Sequence, residues 1–179
     1  MLNLTEYVKL FSLDMFISAI TRTKWRQSVL IFTITLAVII ADQITKLMVR
    51  SNMELGESIP SDGRFRLTYT TNSGGVFGLD IDSTFLLIMA PLVILIIIGL
   101  YFFYLPGENR LMRTGLGLLL GGAIGNLVDR VRLGKVTDFI DVRLWGDFHW
   151  ATFNIADAAV TVSLFLLIFY FLQRARAYE

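Results

Sequence analysis

The chain has 179 residues and a formal net charge of +1, with 55% apolar residues, 17% charged residues and a mean hydropathy of +0.63. A soluble domain carries about 25% charged residues because it must cover a water-facing surface, so this composition predicts a membrane protein. The small net charge gives no support for nucleic-acid binding. Cysteine is absent and His149 is the one histidine, which excludes thiol chemistry and zinc sites built from several histidines.

Four segments are long and apolar enough to cross a bilayer, which takes roughly 20 residues of helix. They are predicted at residues 28–49, 83–105, 111–128 and 154–172, and together they form a domain over residues 28–172. Residues 1–27 are predicted to be an N-terminal extension with the apolar spacing of a helix lying on the membrane surface. Residues 173–179 are predicted to be a short cytoplasmic tail.

An even number of spans places both ends of the chain on one side of the membrane. Basic residues divide evenly between the two sides, but those beside the termini have fewer acidic neighbours, which favours cytoplasmic termini. The longer polar connections, residues 50–82 and 129–153, then share the other side, and residues 64–70 alternate as a strand does. We therefore predict an all-α membrane protein: four transmembrane helices with a small β-strand platform and loop on the extracytoplasmic side.

The polar side chains of the spans are concentrated at span ends on this same side. A charge within a span costs a few kcal/mol or more, so each is a candidate functional residue. The set comprises Asp42, Lys46, Asn126, Asp129, Arg130, Asn154 and Asp157. Asp42 and Lys46 lie one helical turn apart and can pair, either to serve a site or only to neutralise a helix end near lipid.

Two glycine patterns accompany these polar residues. Asn72 and Gly74 belong to a glycine-rich bend, which permits either a close approach of the backbone to a ligand or a tight turn. Gly117, Gly121 and Gly125 recur every four residues in the third span, the small-residue pattern that lets two helix backbones touch in lipid. We expect this stripe to bring the ends of the third and fourth spans together.

Two aspartates have surroundings that disfavour hydration. Asp138 is followed by Phe139 and Ile140, and Asp157 lies among alanines, one helical turn after Asn154. If two such carboxyls face each other, only one ionises readily and the pair shares a proton. That arrangement suits aspartic proteolysis, in which the ionised carboxyl takes a proton from water and the neutral one protonates the peptide carbonyl. The spacing alone is equally compatible with helix caps and ion pairs, magnesium binding or a proton relay.

Five short motifs occur in an order that is known from one family. They are Asp42-Gln-Ile-Thr-Lys46, Asn72-Ser-Gly-Gly75, Gly121-Gly-Ala-Ile-Gly-Asn-Leu-Val-Asp-Arg130, Val136-Thr-Asp-Phe-Ile140 and Phe153-Asn-Ile-Ala-Asp157. Over residues 28–172 the chain resembles the lipoprotein signal peptidases, also called signal peptidase II or prolipoprotein signal peptidases. Residues 1–27 lie outside the resemblance.

The resemblance implies an aspartyl endopeptidase of the bacterial inner membrane that is inhibited by globomycin. Such enzymes remove the signal peptide from prolipoproteins, cutting before a Cys that already carries diacylglycerol. It implies Asp138 and Asp157 as the catalytic pair, at the extracytoplasmic boundary of the membrane. We expect no cofactor or metal, and a monomer because one chain holds every motif. The expected supporting and substrate-binding residues are Asp42, Lys46, Asn72, Gly74, Asn126, Asp129, Arg130 and Asn154.

Two other functions remain open from the residues alone. A magnesium-dependent membrane transferase acting on a lipid head group would use Asp129, Asp138, Asp141 and Asp157 as oxygen ligands. A proton-coupled carrier would use carboxylates as a relay. Against the carrier, the sequence shows no internal repeat and its charges lie at span ends, away from the midplane of the bilayer.

Overall fold

The computed structural model describes residues 29–72, 109–146 and 148–177. These residues form the helices α1 (Val29–Asn52), α2 (Arg110–Leu133) and α3 (Ile155–Arg176), and the strands β1 (Ser58–Ile59), β2 (Phe65–Asn72), β3 (Val136–Trp145) and β4 (Phe148–His149). Each of the three helices is long and apolar enough to cross a membrane. The predicted extension at 1–27 and the predicted span at 83–105 lie outside the described residues.

Local signals at the ends of α2 set its length. The Asn109 side chain accepts a hydrogen bond from the Leu111 amide at 2.8 Å and caps the start of the helix. Gly134 ends the helix in a left-handed conformation, with φ of +70°, and donates its N–H to the Arg130 carbonyl. Both α2 and α3 continue past the predicted span ends at residues 128 and 172. Apolar composition marks the part of a helix that crosses lipid and not the whole helix.

Helices α1 and α2 pack closely and run in the same direction. A Cβ on Gly117 would lie 2.9 Å from Ile34. A Cβ on Gly121 would lie 2.6 Å from Val38, and Gly125 continues the contact along the next turn of α1. The offset between facing residues is constant, which requires parallel helices. The glycine stripe permits close packing as expected, and its main partner is α1. A Cβ on Gly125 would also lie 3.3 Å from the Ala156 side chain, so the ends of the third and fourth predicted spans meet here as expected.

Helix α3 packs against a second glycine face of α2 and runs in the opposite direction. A Cβ on Gly122 would lie 2.4 Å from the Ala156 carbonyl oxygen, so the two backbones nearly touch. A Cβ on Gly115 would lie 3.0 Å from the Leu167 side chain. Because the earlier glycine of α2 faces the later residue of α3, the two helices are antiparallel. Helix α2 is thus central, with α1 on one glycine face and α3 on the other.

The strands form an antiparallel sheet in the order β1-β2-β3-β4, at the end of the bundle where α1 and α2 stop and α3 starts. β2 confirms the strand predicted at residues 64–70. β3 is longer than β2 and lies in a segment that the sequence marks only as a polar connection. The three described helices correspond to three of the predicted spans. The predicted platform contains four strands, whereas the sequence indicates only one of them.

The register of this sheet contains one irregularity next to Asp138. Thr70 pairs with Asp138 and Leu67 pairs with Ile140, so two residues of β2 oppose a single residue of β3 in a β-bulge. On its other side, Ile140 forms a bridge with Phe153, which lies two residues before the start of α3. β3 is therefore held between β2 and the segment that leads into α3.

The two ends of the helix bundle differ in character. Where α1 and α2 begin, buried apolar side chains form a core of Ile31, Met112, Leu116 and Tyr170. At the sheet end, the buried side chains are mainly polar or charged. The outer faces of α1 and α3 carry large exposed apolar residues, among them Phe32, Ile40, Leu47, Phe165 and Phe169. Such faces suit a lipid environment, and they leave the sheet end as the place for chemistry.

Candidate active site

A buried ion pair on α1 forms the base of the site. Lys46 Nζ lies 2.8 Å from Asp42 Oδ2, and both side chains are fully buried. Asp42 Oδ1 also accepts the Ala156 amide at 3.0 Å, and Lys46 Nζ lies 3.5 Å from Asp129. The predicted pairing is confirmed, and each charge also has a partner outside α1. Buried charges need such compensation, so the pair fixes α1 against α2 and the start of α3.

Two asparagine amides continue the network from Lys46 towards the aspartates. Lys46 Nζ donates to Asn126 Oδ1 at 2.9 Å, and Asn154 Nδ2 donates to the same oxygen at 3.1 Å. With its oxygen bound to two donors, Asn126 directs its Nδ2 to Asp157 Oδ1, at 2.8 Å. The lysine therefore determines which end of the amide faces the carboxylate.

Asn154 contacts both candidate catalytic aspartates. Its Nδ2 donates to Asp138 Oδ1 at 2.7 Å, and its backbone N–H donates to Asp157 Oδ2 at 3.2 Å. The Asn154 side chain also accepts the Asp157 amide at 2.9 Å, which completes a capping box at the start of α3. Capping and a catalytic role are thus compatible, because the bonds that cap the helix also bring the two carboxyls to one residue.

Asp138 is only 3% exposed, whereas Asp157 is half-buried. Burial is the main cause that raises the pKa of Asp138 from 3.8 to about 6, and the charge of Asp157 adds to it. The hydrogen bond from Asn154, the charge of Lys46 and a hydrogen bond from Asn72 oppose this rise in pKa without cancelling it. Asp138 can therefore hold a proton close to neutral pH.

Asp129 connects α2 to the start of β3. Its Oδ2 accepts the Thr137 amide at 3.0 Å, and its Oδ1 lies 3.3 Å from Gln43 Nε2. Arg50 Nη1 lies 3.6 Å from the same Oδ1 and donates to the Thr137 hydroxyl at 3.0 Å. Gln43, Arg50 and Thr137 are not among the site residues predicted from the sequence. Gln43 and Thr137 lie inside quoted motifs and could have been found, whereas the role of Arg50 depends on the packing of α1 against β3.

The predicted site residues within the described ranges come together at the sheet end of the bundle. The connected set is Asp42, Lys46, Asn72, Asn126, Asp129, Asp138, Asn154 and Asp157. Arg130 lies within electrostatic reach of three members, Asp157, Asp138 and Asp129. Gly74 is outside the described residues. One polar network thus joins three helices to β2 and β3.

Asp141 belongs to a different set of contacts. Its carboxylate binds the side chains of Arg66, Thr68 and His149, and it lies on β3 beyond Asp138. The four carboxylates of the magnesium hypothesis are therefore not gathered in one place. Across residues 29–72, 109–146 and 148–177, no group of three or more His, Cys, Asp or Glu side chains is placed to hold a metal ion. This geometry disfavours the transferase hypothesis.

Three apolar helices, and a buried and a half-buried aspartate that contact the same asparagine, define the class: a membrane protein with a site suited to acid–base chemistry. Residues 34–173 match the family model described as Signal peptidase (SPase) II. A Lipoprotein signal peptidase of Geobacter metallireducens is 43% identical over 143 residues, covering 76% of this chain and 87% of that protein. A protein of the same name from Moorella thermoacetica is 41% identical over 135 residues, covering 75% of this chain and 87% of its own length.

Two solved structures, each described as a bacterial membrane enzyme structure by the in meso method, are similar to this one. The first, at 2.3 Å resolution, has a TM-score of 0.75 and 30% identity, covering 83% of this chain and 91% of its own. The second, at 1.9 Å resolution, has a TM-score of 0.73 and 31% identity, covering 79% and 92%. The chain belongs to the signal peptidase II family, the lipoprotein signal peptidases, and is a membrane peptidase of the aspartic type.

Proposed function

We propose that Asp138 and Asp157 are the catalytic pair and that a water molecule between them attacks the scissile carbonyl. The observation that carries this proposal is the contact of both carboxyls with Asn154. Asp157 takes a proton from the attacking water while Asp138 protonates the carbonyl oxygen. When the diol collapses, Asp157 gives its proton to the leaving amine and Asp138 regains its own.

The two carboxyls have surroundings that suit these different roles. Asp138 is buried and its pKa is raised to about 6, so it is the better place for the shared proton. Both oxygens of Asp157 accept hydrogen bonds, from the Asn126 side chain and the Asn154 amide, as an ionised general base does. We therefore assign the acid role to Asp138 and the base role to Asp157.

The surrounding polar residues support this pair. Lys46, held by Asp42, orients the Asn126 amide, while Asp129 fixes the start of β3 one residue before Asp138. Arg130 lies within electrostatic reach of the pair and suits an oxyanion that develops during attack. We further propose that Asn72 and Gly74 are substrate-binding or supporting residues of this site. Asn72 supports this because its side chain hydrogen-bonds Asp138.

The substrate that fits this site is a prolipoprotein whose Cys carries diacylglycerol, with cleavage just before that Cys. The candidate pair lies at the end of apolar helices, where a lipid-anchored residue would hold its neighbouring peptide bond. Burial of acyl chains contributes about 0.8 kcal/mol per CH₂, so the lipid can position a peptide of variable sequence. We also propose that the protein contacts membrane lipid, binds globomycin-type inhibitors and acts as a monomer.

The packing of the helices supports four spans. α1 and α2 run parallel, so if both cross the membrane, the chain between them must cross it in return, which agrees with a span at 83–105. Val29, where α1 begins, and Arg176, where α3 ends, lie at the same end of the bundle, opposite the sheet. We place that end at the cytoplasmic face of the bacterial inner membrane and the sheet at the extracytoplasmic face.

The test measures cleavage of a diacylglyceryl-modified prolipoprotein by the detergent-purified protein in EDTA. Release of the signal peptide is monitored as a change in mobility on a gel. We expect release of the signal peptide with the modified substrate, little with the unmodified one, and inhibition by globomycin. Cleavage in EDTA excludes a required divalent metal. A folded protein that fails to cleave even with added magnesium would overturn the proposal, and equal cleavage of the unmodified substrate would overturn the lipid requirement.

A further inference from the structure

Asp141 is a buried charge that the proposed reaction does not use. It lies on β3, is 3% exposed, and contacts three side chains from two other strands. Its Oδ2 accepts from Arg66 Nε at 3.0 Å and from the Thr68 hydroxyl at 2.9 Å, both on β2. Its Oδ1 lies 2.7 Å from His149 Nδ1 on β4. We call Asp141, Arg66, Thr68 and His149 the Asp141 cluster.

The contacts of His149 define its role in the cluster. An ionised carboxylate only accepts hydrogen bonds, so Nδ1 carries the proton in the contact with Asp141. Nε2 then accepts from Arg143 Nε, at 3.4 Å. Arg66 Nη2 also lies 3.3 Å from Nδ1, so the imidazole of His149 connects β4 to both β2 and β3.

The cluster joins both neighbours of β3 at a point close to the candidate site. On one side, Thr68 belongs to the β-bulge, after which Thr70 pairs with Asp138. On the other side, His149 starts the segment that reaches Phe153, whose carbonyl accepts the Ile140 amide at 2.8 Å. Asn154 follows Phe153 directly, so the cluster restrains both the strand that carries Asp138 and the residue that binds it.

We propose that Asp141 is a positioning residue for the catalytic pair. By binding β2 and β4 to opposite sides of β3, the Asp141 cluster fixes Asp138 relative to Asn154 and thereby to Asp157. This inference rests on the proposed function for its kinetic effect, while its structural effect is independent of catalysis. A misplacement of about 1 Å in a catalytic group costs roughly 100-fold in rate, so a restraint of this kind has a measurable effect.

The kinetic test compares kcat and KM for the parent protein, Asp141→Asn, His149→Ala and His149→Gln. We expect Asp141→Asn to lower kcat roughly 10- to 100-fold while KM changes less than about threefold. His149→Gln retains an N–H donor and should recover most of the kcat that His149→Ala loses. The control is Asp62→Asn, which removes an 83% exposed carboxylate that pairs with Arg143 on the same sheet. It should behave as the parent does.

A second measurement keeps the inference testable if cleavage is absent or if Asp141→Asn folds poorly. Hydrogen exchange of backbone amides in residues 136–145 and 148–154 should rise in His149→Ala and remain unchanged in Asp62→Asn. A kcat within about twofold of the parent in a folded Asp141→Asn protein, or a change confined to KM, would overturn the positioning role. Unchanged exchange in His149→Ala would also overturn it. A parent protein that does not cleave would instead reject the proposed function.

Discussion

Two aspartates on the same strand, three positions apart and both 3% exposed, have opposite electrostatic surroundings. At Asp138, burial and the charge of Asp157 dominate, and the pKa rises to about 6. At Asp141, burial acts in the same direction, but hydrogen bonds from His149, Arg66 and Thr68 outweigh it, and the pKa falls below 3.8. Equal exposure to solvent therefore does not give equal chemistry. One carboxyl is able to hold a proton near neutral pH, and the other stays ionised and is bound by three side chains.

The largest expected effect is on the rate of cleavage, and it distinguishes Asp138 from Asp141. Asp138→Asn and Asp157→Asn should each lower kcat/KM roughly 100- to 10,000-fold, because each removes a proton donor or acceptor of the reaction. Asp141→Asn should cost less, since it only loosens the position of these groups. Initial rates of signal-peptide release give the comparison. Near-parental rates in either variant of the pair would mean that the dyad is assigned wrongly.

The second prediction removes the cation beneath the site. Lys46→Met leaves Asp42 and Asp129 buried without their shared ammonium, and loss of one partner of a buried pair costs roughly 3–5 kcal/mol. We expect a marked fall in the thermal midpoint in detergent. Lys135→Met, at an exposed position, is the matched control. Similar melting temperatures for the two variants would contradict a structural role for the buried pair.

The third prediction uses the pH dependence of stability. The pKa of Asp138 is higher when folded (about 6) than the ordinary 3.8, so this carboxyl lowers stability as pH rises through that window, by about 3 kcal/mol at most. Asp138→Asn should therefore raise the thermal midpoint above pH 6 and have little effect below pH 3.8.

Asp141 should show the opposite sign. Because its folded pKa is lowered, it contributes stability above pH 3.8 that is lost as pH falls through the folded pKa. Asp141→Asn should lower the thermal midpoint at neutral pH, and its difference from the parent should shrink in acid. Thermal unfolding of both variants across this pH range gives the comparison. Shifts of the same sign at neutral pH would remove the contrast between the two aspartates.

The smallest expected effect comes from a shift of the start of α3. In Gly122→Ala, the new methyl group would lie 2.4 Å from the Ala156 carbonyl oxygen, so the start of α3 must shift and carry Asn154 and Asp157 with it. We expect kcat to fall roughly tenfold. Gly115→Ala is the control, because its methyl group is crowded only by the Leu167 side chain at 3.0 Å, which can move, and lies at an ordinary contact distance of 3.5 Å from the Ser163 carbonyl oxygen. Equal kcat values in the two variants would argue against precise placement of α3.

The sequence predicts much of the site because its signals are local. Asp42 and Lys46 are one helical turn apart, and Asn154 and Asp157 form the spacing of a capping box, so their contacts follow from helix geometry alone. The contacts of Asp141 are not local in this sense. Arg66 lies 75 residues away in sequence, and its approach depends on the register and bulge of a strand pair.

The same distinction explains why the sequence does not indicate β3 as a strand or α1 as the main partner of the glycine stripe. The start of β3 is buried at four successive positions, from Val136 to Phe139, so it lacks the alternation by which a half-buried strand is recognised. The glycine stripe of α2 marks a close contact but carries no information about which helix supplies the other backbone. Both questions are settled by tertiary packing, which a single sequence does not contain.

The most direct test of this account is a carboxyl titration by NMR. Protein labelled with carbon-13 at the aspartate carboxyl carbons would be titrated from about pH 3 to about pH 8, with Asp138 and Asp141 assigned by their loss in the Asn variants. We expect a midpoint near 6 for Asp138 and one below 3.8 for Asp141. Midpoints for both at or below 3.8 would contradict it, because Asp138 would then hold no proton for catalysis near neutral pH.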